Sequence, residues 1–291
     1  MDIAAFVRTI EKQNLNCEGV EVLRQGRTVA RHRWIPEAPR NCYSVSKSVT
    51  SIAIGMAVQR GKLSLSDRVI DAFPDLINAP SPRLASLRLE HLLTMTRGHA
   101  AFSRPSTAAE ALSQELKFDP GARFVYDNGS TLLASAMFTR AMGMTVRDFL
   151  LDALFRPLGI GEPEWAETPD GHSPGGTGLF LATSGLACFG GFLLQKGEWQ
   201  GKSLISPEWI DSAARPQVST NSRRSDYDLG YGYGFWPCRH GAFRADGKDG
   251  QFVIVLPRLD AVVAINSGEP RHYPVLYAVW DTILPLLSQG L

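Results

Sequence analysis

Ser44-Val45-Ser46-Lys47-Ser48-Val49-Thr50-Ser51-Ile52-Ala53-Ile54-Gly55-Met56-Ala57-Val58 sets a serine and a lysine three residues apart at the head of a run of small and apolar side chains. The spacing predicts a buried helix over Ser46–Arg60, opened by Ser44 and stopped by Gly61. Side chains three apart on a helix share a face, so the Lys47 amine meets the Ser44 hydroxyl. The helix start offers N–H groups and a positive dipole end, which favour negative charge developing at Ser44. A serine hydroxyl is a weak nucleophile until a base takes its proton. Lysine serves as that base only if its pKa falls from ~10.4 toward ~7, about 4 kcal/mol of environmental bias. The apolar run after Lys47 supplies burial of that kind. Taken alone, the tetrapeptide reads more readily as a helix cap, since composition gives about half a Ser-x-x-Lys by chance.

On the N-terminal side, Val20–Val29 reads as a hairpin turning at Gln25-Gly26. On the C-terminal side, residues 61–215 read as helix and loop. Leu89–Met95 is a short amphipathic helix. Thr107 with Glu110 forms a capping box for a helix to about Leu116. Ser130–Met142, Thr145–Phe155 and Ser184–Gln195 are further helices, and Ser206-Pro207-Glu208 opens another. Pro174–Gly178 and Gly230–Gly234 are glycine-rich loops. Gly241–Ala245, Gln251–Leu256 and Ala261–Asn266 are strand-like, and Tyr273–Leu287 closes the chain as an apolar helix. Strands at both ends with helices between them imply an α+β fold, an α/β sandwich. One antiparallel sheet is built from both chain ends and flanked by helices, with a mostly helical lobe inserted. The expected organisation is a single domain, 1–291, whose sheet lobe is 1–60 plus 216–291 and whose helical lobe is 61–215.

Two further segments carry chemistry. Tyr126-Asp127-Asn128 offers a second proton carrier and an amide, two apart and so pointing the same way in an extended stretch. Chance gives about 0.17 such Tyr-x-Asn patterns, and the plain reading is a buried tyrosine before an Asp-Asn-Gly turn. Lys248-Asp249-Gly250 stands at the mouth of the strand Gln251–Leu256. Chance gives about 0.65 Lys-x-Gly patterns, and alone it is a solvated turn. In a site, Lys248 supplies positive charge and Gly250 lets substrate approach the strand. The N–H groups of Ser44 and Gln251 then form an oxyanion hole, each donor worth ~2.7–4 kcal/mol. Together the three patterns are expected about 0.06 times, and in this order a sixth as often. The combination is far more specific than its parts.

Composition narrows the rest. The 291 residues are 44% hydrophobic and 20% charged, enough for a sizeable core without metals or disulfides. A formal net charge of +1 without blocks of like charge argues against a nucleic-acid or membrane-surface partner. The start, MDIAAFVRTIEKQNL, lacks a basic stretch followed by an apolar run, and no segment reaches the ~18–20 apolar residues of a membrane span. The expectation is a cytoplasmic protein. Cys17, Cys42, Cys188 and Cys238 are scattered and read as reduced core thiols. The histidines show no metal-ligand spacing, and Pro174–Gly178 lacks the Gly-Lys-Ser/Thr of a phosphate loop, so no metal or cofactor is expected.

With these residues in view, the chain resembles the family of class C β-lactamases, serine DD-peptidases, β-lactamase-like carboxylesterases and 6-aminohexanoate-dimer hydrolases. The similarity runs beyond the three patterns to His91–Thr96, Arg156-Pro157-Leu158-Gly159, Gly175–Leu179, Trp199–Lys202, Ser206–Trp209, Tyr231–Gly234 and Gly250-Gln251…Pro257. The resemblance implies the β-lactamase/transpeptidase-like fold and an acyl-enzyme route. Ser44 is then the nucleophile, Lys47 and Tyr126 share its proton, Asn128 orients the substrate carbonyl, and Lys248 takes the third-motif position. Departures are Asp249 before Gly250, where a carboxylate repels acidic substrates, and Arg97 and His99 where Ser-Gly-Leu is usual. The reading is a serine acyl hydrolase acting on small esters or amides. The alternatives are a penicillin-binding or sensor module acylated at Ser44 without turnover, and a true β-lactamase or DD-peptidase acting on a lactam.

Overall fold

Gln25 and Gly26 both adopt positive φ, 51° and 70°, and join β1 (Cys17–Arg24) to β2 (Arg27–Arg33) through a two-residue turn. The structure, a computed structural model, describes residues 1–220, 222 and 226–289. Four more strands come from the C-terminal part: β3 (Trp236–Pro237), β4 (Phe243–Asp246), β5 (Phe252–Leu256) and β6 (Ala261–Ser267). They join β1 and β2 in one antiparallel sheet of order β2-β1-β6-β5-β4-β3. The two ends of the chain meet where Val20 pairs Ile265 and Val22 pairs Val263.

Alternation along the inner strands explains why both sheet faces are covered. Val20, Val22, Phe252, Ile254, Val263 and Ile265 face one core with Phe6 and Ile10 of α1 (Ala4–Lys12) and the C-terminal helices. Val253, Val255, Val262 and Ala264 face the other core, which contains Val49 and Ile52 of α2 (Val45–Gln59). Full burial of one such aliphatic side chain is worth about 1.5–3 kcal/mol. Between α2 and β3 the described residues are mostly helix and loop, with the short strands Phe180–Leu181, Glu198–Trp199 and Lys202–Ser203, and the longest helix there is α3 (Asn128–Met142). A second long one, α4 (Thr183–Leu194), lies within 61–215 but packs on β1, β5 and β6.

The sequence expectation missed α1 and the short β3. Helix α3 starts two residues early because the Asp127 carboxylate accepts from Ser130 N at 2.9 Å and caps it. The Thr107 hydroxyl caps the helix Ala108–Ser113, but Glu110 reaches Ser106 N at 2.7 Å rather than closing a box on Thr107. The closing helix begins at His272 as α5 (His272–Ala278), widens into a π turn over Val279–Ile283 and resumes at Leu284–Ser288. Pro285, lacking an N–H, sits just past that turn. Among the described residues no helix is long and apolar enough to cross a membrane. The four cysteines are unpaired, with Cys188 alone half-buried among them.

Candidate active site

Tyr43, at φ 44°, turns the chain from the short strand Arg40–Asn41 into α2. Ser44 is the N-cap residue, and its half-buried side chain opens to a cavity. One turn on, Lys47 is 1% exposed. Its Nζ lies 3.2 Å from Ser44 Oγ, 2.5 Å from Asn128 Oδ1 and 3.0 Å from the Gly176 carbonyl. The last two are carbonyl oxygens and only accept, so the amine donates to both. A neutral amine has two N–H bonds and one lone pair, and the lone pair then faces the Ser44 hydroxyl. Burial lowers the Lys47 pKa to about 7; Asp127 pulls it up and Arg104 pushes it down, both more weakly.

The Tyr126 phenol lies within reach of the Ser44 side chain and is influenced by it, and burial holds its pKa well above the usual value, so it keeps its proton. Its ring stands edge-on to Tyr231 at 5.9 Å and tilted on Trp236 at 5.6 Å, with Lys47 Nζ 4.9 Å from its centre. Asn128, at the start of α3, spends its Oδ1 on Lys47 and also lines the cavity, where its amide N–H groups remain for a ligand. Cys42 is fully buried and its thiol is pushed up to about 12, which makes it inert as a nucleophile.

The third segment is a hairpin turn between β4 and β5. Gly247 N donates to the Gln251 carbonyl at 2.7 Å, Gly250 N donates to the Gly247 carbonyl at 3.1 Å, and Gly250 sits at φ 84°. Lys248 and Asp249 are therefore the turn corners, with Gly250 in the left-handed position a three-residue hairpin loop demands. Lys248 lines the cavity, with Nζ 5.3 Å from the Tyr43 ring centre. Asp249, Gly250 and Gln251 are off the cavity wall. Gln251, expected as an oxyanion donor, lies across the hairpin from Gly247, and its side-chain amide donates to the Ser267 carbonyl. Arg97, one of the departures noted above, is buried at 2% exposure and is likewise absent from the wall. The structure thus brings Ser44, Lys47, Tyr126, Asn128 and Lys248 together, and leaves the other three predicted residues outside.

The cavity, about 480 Å³, is also lined by Phe102, Arg104, Tyr227, Trp236, Asp246 and His272, none of which the sequence singled out for the site. Gly176 entered the sequence reading only as part of a glycine-rich loop, yet its carbonyl holds Lys47, and a Cβ there would lie 2.9 Å from Nζ. The same loop is preceded by Gly171-His172-Ser173-Pro174-Gly175, which has the Gly-x-Ser-x-Gly form of a hydrolase nucleophile elbow. Here it is a loop, and Ser173 is 2% exposed with its hydroxyl accepting from Arg147 N at 3.2 Å. It is a packing serine rather than a nucleophile.

A helix–sheet–helix sandwich with a helical insertion, carrying Ser-x-x-Lys at the head of its buried helix, defines the serine-hydrolase-like class of β-lactamases and penicillin-binding proteins. The family model described as beta-lactamase matches residues 5–274, and the chain belongs to that family. An uncharacterized protein of Alkalihalophilus pseudofirmus is 25% identical over 284 residues, covering 84% of this chain and 80% of its own length. The octameric penicillin-binding protein homologue from Pyrococcus abyssi superposes with a TM-score of 0.77 at 19% identity, over 99% of this chain and 78% of its own. EstCE1, a hydrolase with promiscuous acyltransferase activity, gives 0.75 at 15% identity over 95% of this chain and 97% of its own. At these identities the two structures speak to the fold.

Proposed function

We propose that the protein is a serine acyl hydrolase that turns over small carboxylic esters or amides through an acyl-enzyme on Ser44. The contact set of Lys47 carries the reading: two carbonyl acceptors and one hydroxyl around a buried amine whose pKa is about 7. In that setting Lys47 takes the Ser44 proton as Oγ attacks the acyl carbon. The oxyanion is held by backbone N–H groups of Ser44 and Lys248. The Gly247 N–H is spent on the Gln251 carbonyl, whereas Lys248, the next residue, lines the cavity with Ser44. Tyr126, still protonated, donates to the departing oxygen or nitrogen and is reprotonated by Lys47. Water then attacks the acyl-enzyme, with the same pair moving its proton in reverse. A cytoplasmic location fits four unpaired thiols.

The test is hydrolysis of p-nitrophenyl butyrate by wild type and Ser44→Ala, with intact mass of the protein after brief exposure to substrate. Turnover with a transient acyl adduct in wild type alone supports the assignment, and equal rates in the two proteins refute it.

A second reading, a β-lactamase or another hydrolase of acidic substrates, is favoured by two cations on the cavity wall, Arg104 and Lys248, since the one carboxylate there, Asp246, is held by Arg244 at 2.8 Å. Asp249, the sequence ground for disfavouring acids, does not line the cavity. Nitrocefin turnover exceeding that of neutral esters would favour this reading, and its absence the first.

A further inference from the structure

Behind the site lies a buried ion pair that the mechanism above does not use. Arg97 Nε meets Asp127 Oδ2 at 2.6 Å, with side chains 2% and 1% exposed. The rest of the guanidinium is engaged by the Ala111 carbonyl at 3.1 Å, Ser103 Oγ at 3.1 Å and Gln114 Oε1 at 2.5 Å. Asp127 also accepts from Ser103 N at 3.0 Å and from Ser130 N at 2.9 Å, capping α3. Gly129 leaves room for this arrangement, since a Cβ there would lie 2.8 Å from Arg97 Nη2. Asp127 stands between Tyr126 and Asn128, the two residues that touch Ser44 and Lys47.

A carboxylate placed there acts on Lys47 at low dielectric, where a charge is felt several times more strongly than in water. The charged or titratable groups acting on the amine are Asp127 and Arg104, with the Tyr126 phenol beside it. The loop 174–178 adds only the Gly176 carbonyl, and α2 itself adds the Ser44 hydroxyl. Left unpaired, Asp127 favours the ammonium, which is useless as a base. We propose that Arg97 is a positioning residue: by neutralising Asp127 it keeps the Lys47 amine unprotonated near neutral pH and holds Asn128 beneath it. The inference rests on Lys47 being the base for Ser44.

The test is the pH dependence of the second-order rate of Ser44 labelling by a fluorophosphonate probe, which reads the nucleophile without deacylation. Removing the negative charge lowers the affinity of Lys47 for its proton, so Asp127→Asn moves the acid limb down by about 0.5–1 pH unit. Removing the positive charge does the reverse, so Arg97→Met moves it up by a similar amount. The double variant Arg97→Met/Asp127→Asn, with no carboxylate left to unmask, keeps the limb at or below the wild-type position even where the absolute rate has fallen. A merely structural pair lowers the rate in all three without moving the limb, and that result overturns the proposal. Should Arg97→Met fail a thermal-melt check for folding, Asp127→Asn and the double variant still decide it. Lys47→Met separates this failure from failure of the underlying reading. If the limb survives in Lys47→Met, Lys47 is not the base. If Lys47→Met abolishes labelling while Asp127→Asn leaves the limb unmoved, only the role of Arg97 falls.

Discussion

The floor of the cavity and its rim obey different rules. On the floor, Lys47 is enclosed and three neighbours fix its amine at hydrogen-bonding distance. At the rim, Phe102 is 55% exposed and the Lys248 side chain 65%, and Arg104 is exposed too. A floor held this way specifies a proton path. A rim held this loosely specifies a preference among substrates, and each exposed charge there is worth little more than about 1 kcal/mol.

Changes on the floor should therefore dominate. Ser44→Ala should lower kcat/KM for p-nitrophenyl butyrate at least ~10³-fold, read by initial rates. Lys47→Met should cost nearly as much, because nucleophile and base act as a unit. In wild type, kcat/KM should rise as pH passes upward through about 7, since the amine must lose its proton before it accepts one from Ser44. A profile flat from pH 5 to 9 would remove Lys47 from the base role. Tyr126→Phe keeps the ring packing but removes the donated proton, so kcat should fall by ~10²–10⁴ with fold stability little changed. The smallest effect belongs to the rim: measured near pH 9, where the Lys47 amine is already unprotonated, Arg104→Gln with Lys248→Gln should raise KM for a carboxylate-bearing ester by ~3–10-fold and leave a neutral ester within about 2-fold. An equal loss on both esters would erase the distinction between rim and floor.

The same division governs what could be read from the sequence. Ser44 with Lys47 was legible because helical arithmetic places them on one face, and Tyr126 with Asn128 because two-residue spacing aligns them. The sheet was legible because its strands are apolar and bounded by turn residues, as in Phe252–Leu256 and Ala261–Ser267. The Gly176 carbonyl was not, because every residue has a carbonyl and only the fold decides which one meets a lysine. Lys248-Asp249-Gly250 was read as a turn at a strand mouth, and it is the turn between β4 and β5, but it sets only Lys248 on the cavity rim and leaves Gln251 across the hairpin from Gly247. Asp127 looked like a spacer within Tyr-x-Asn, and its capping of α3 and its pairing with Arg97 depend on long-range contacts.

The pairing of β1 with β6 has a consequence for biosynthesis. Cys17–Arg24 leaves the ribosome long before its inner neighbour Ala261–Ser267, with the whole helical insertion made between them. Until then β1 has β2 on one side and a bare ladder of N–H and C=O groups on the other, the kind of edge that recruits foreign strands. Nascent chains interrupted before Ala261 should therefore be insoluble as well as inactive, and folding waits on a contact between segments far apart in sequence, which is slow.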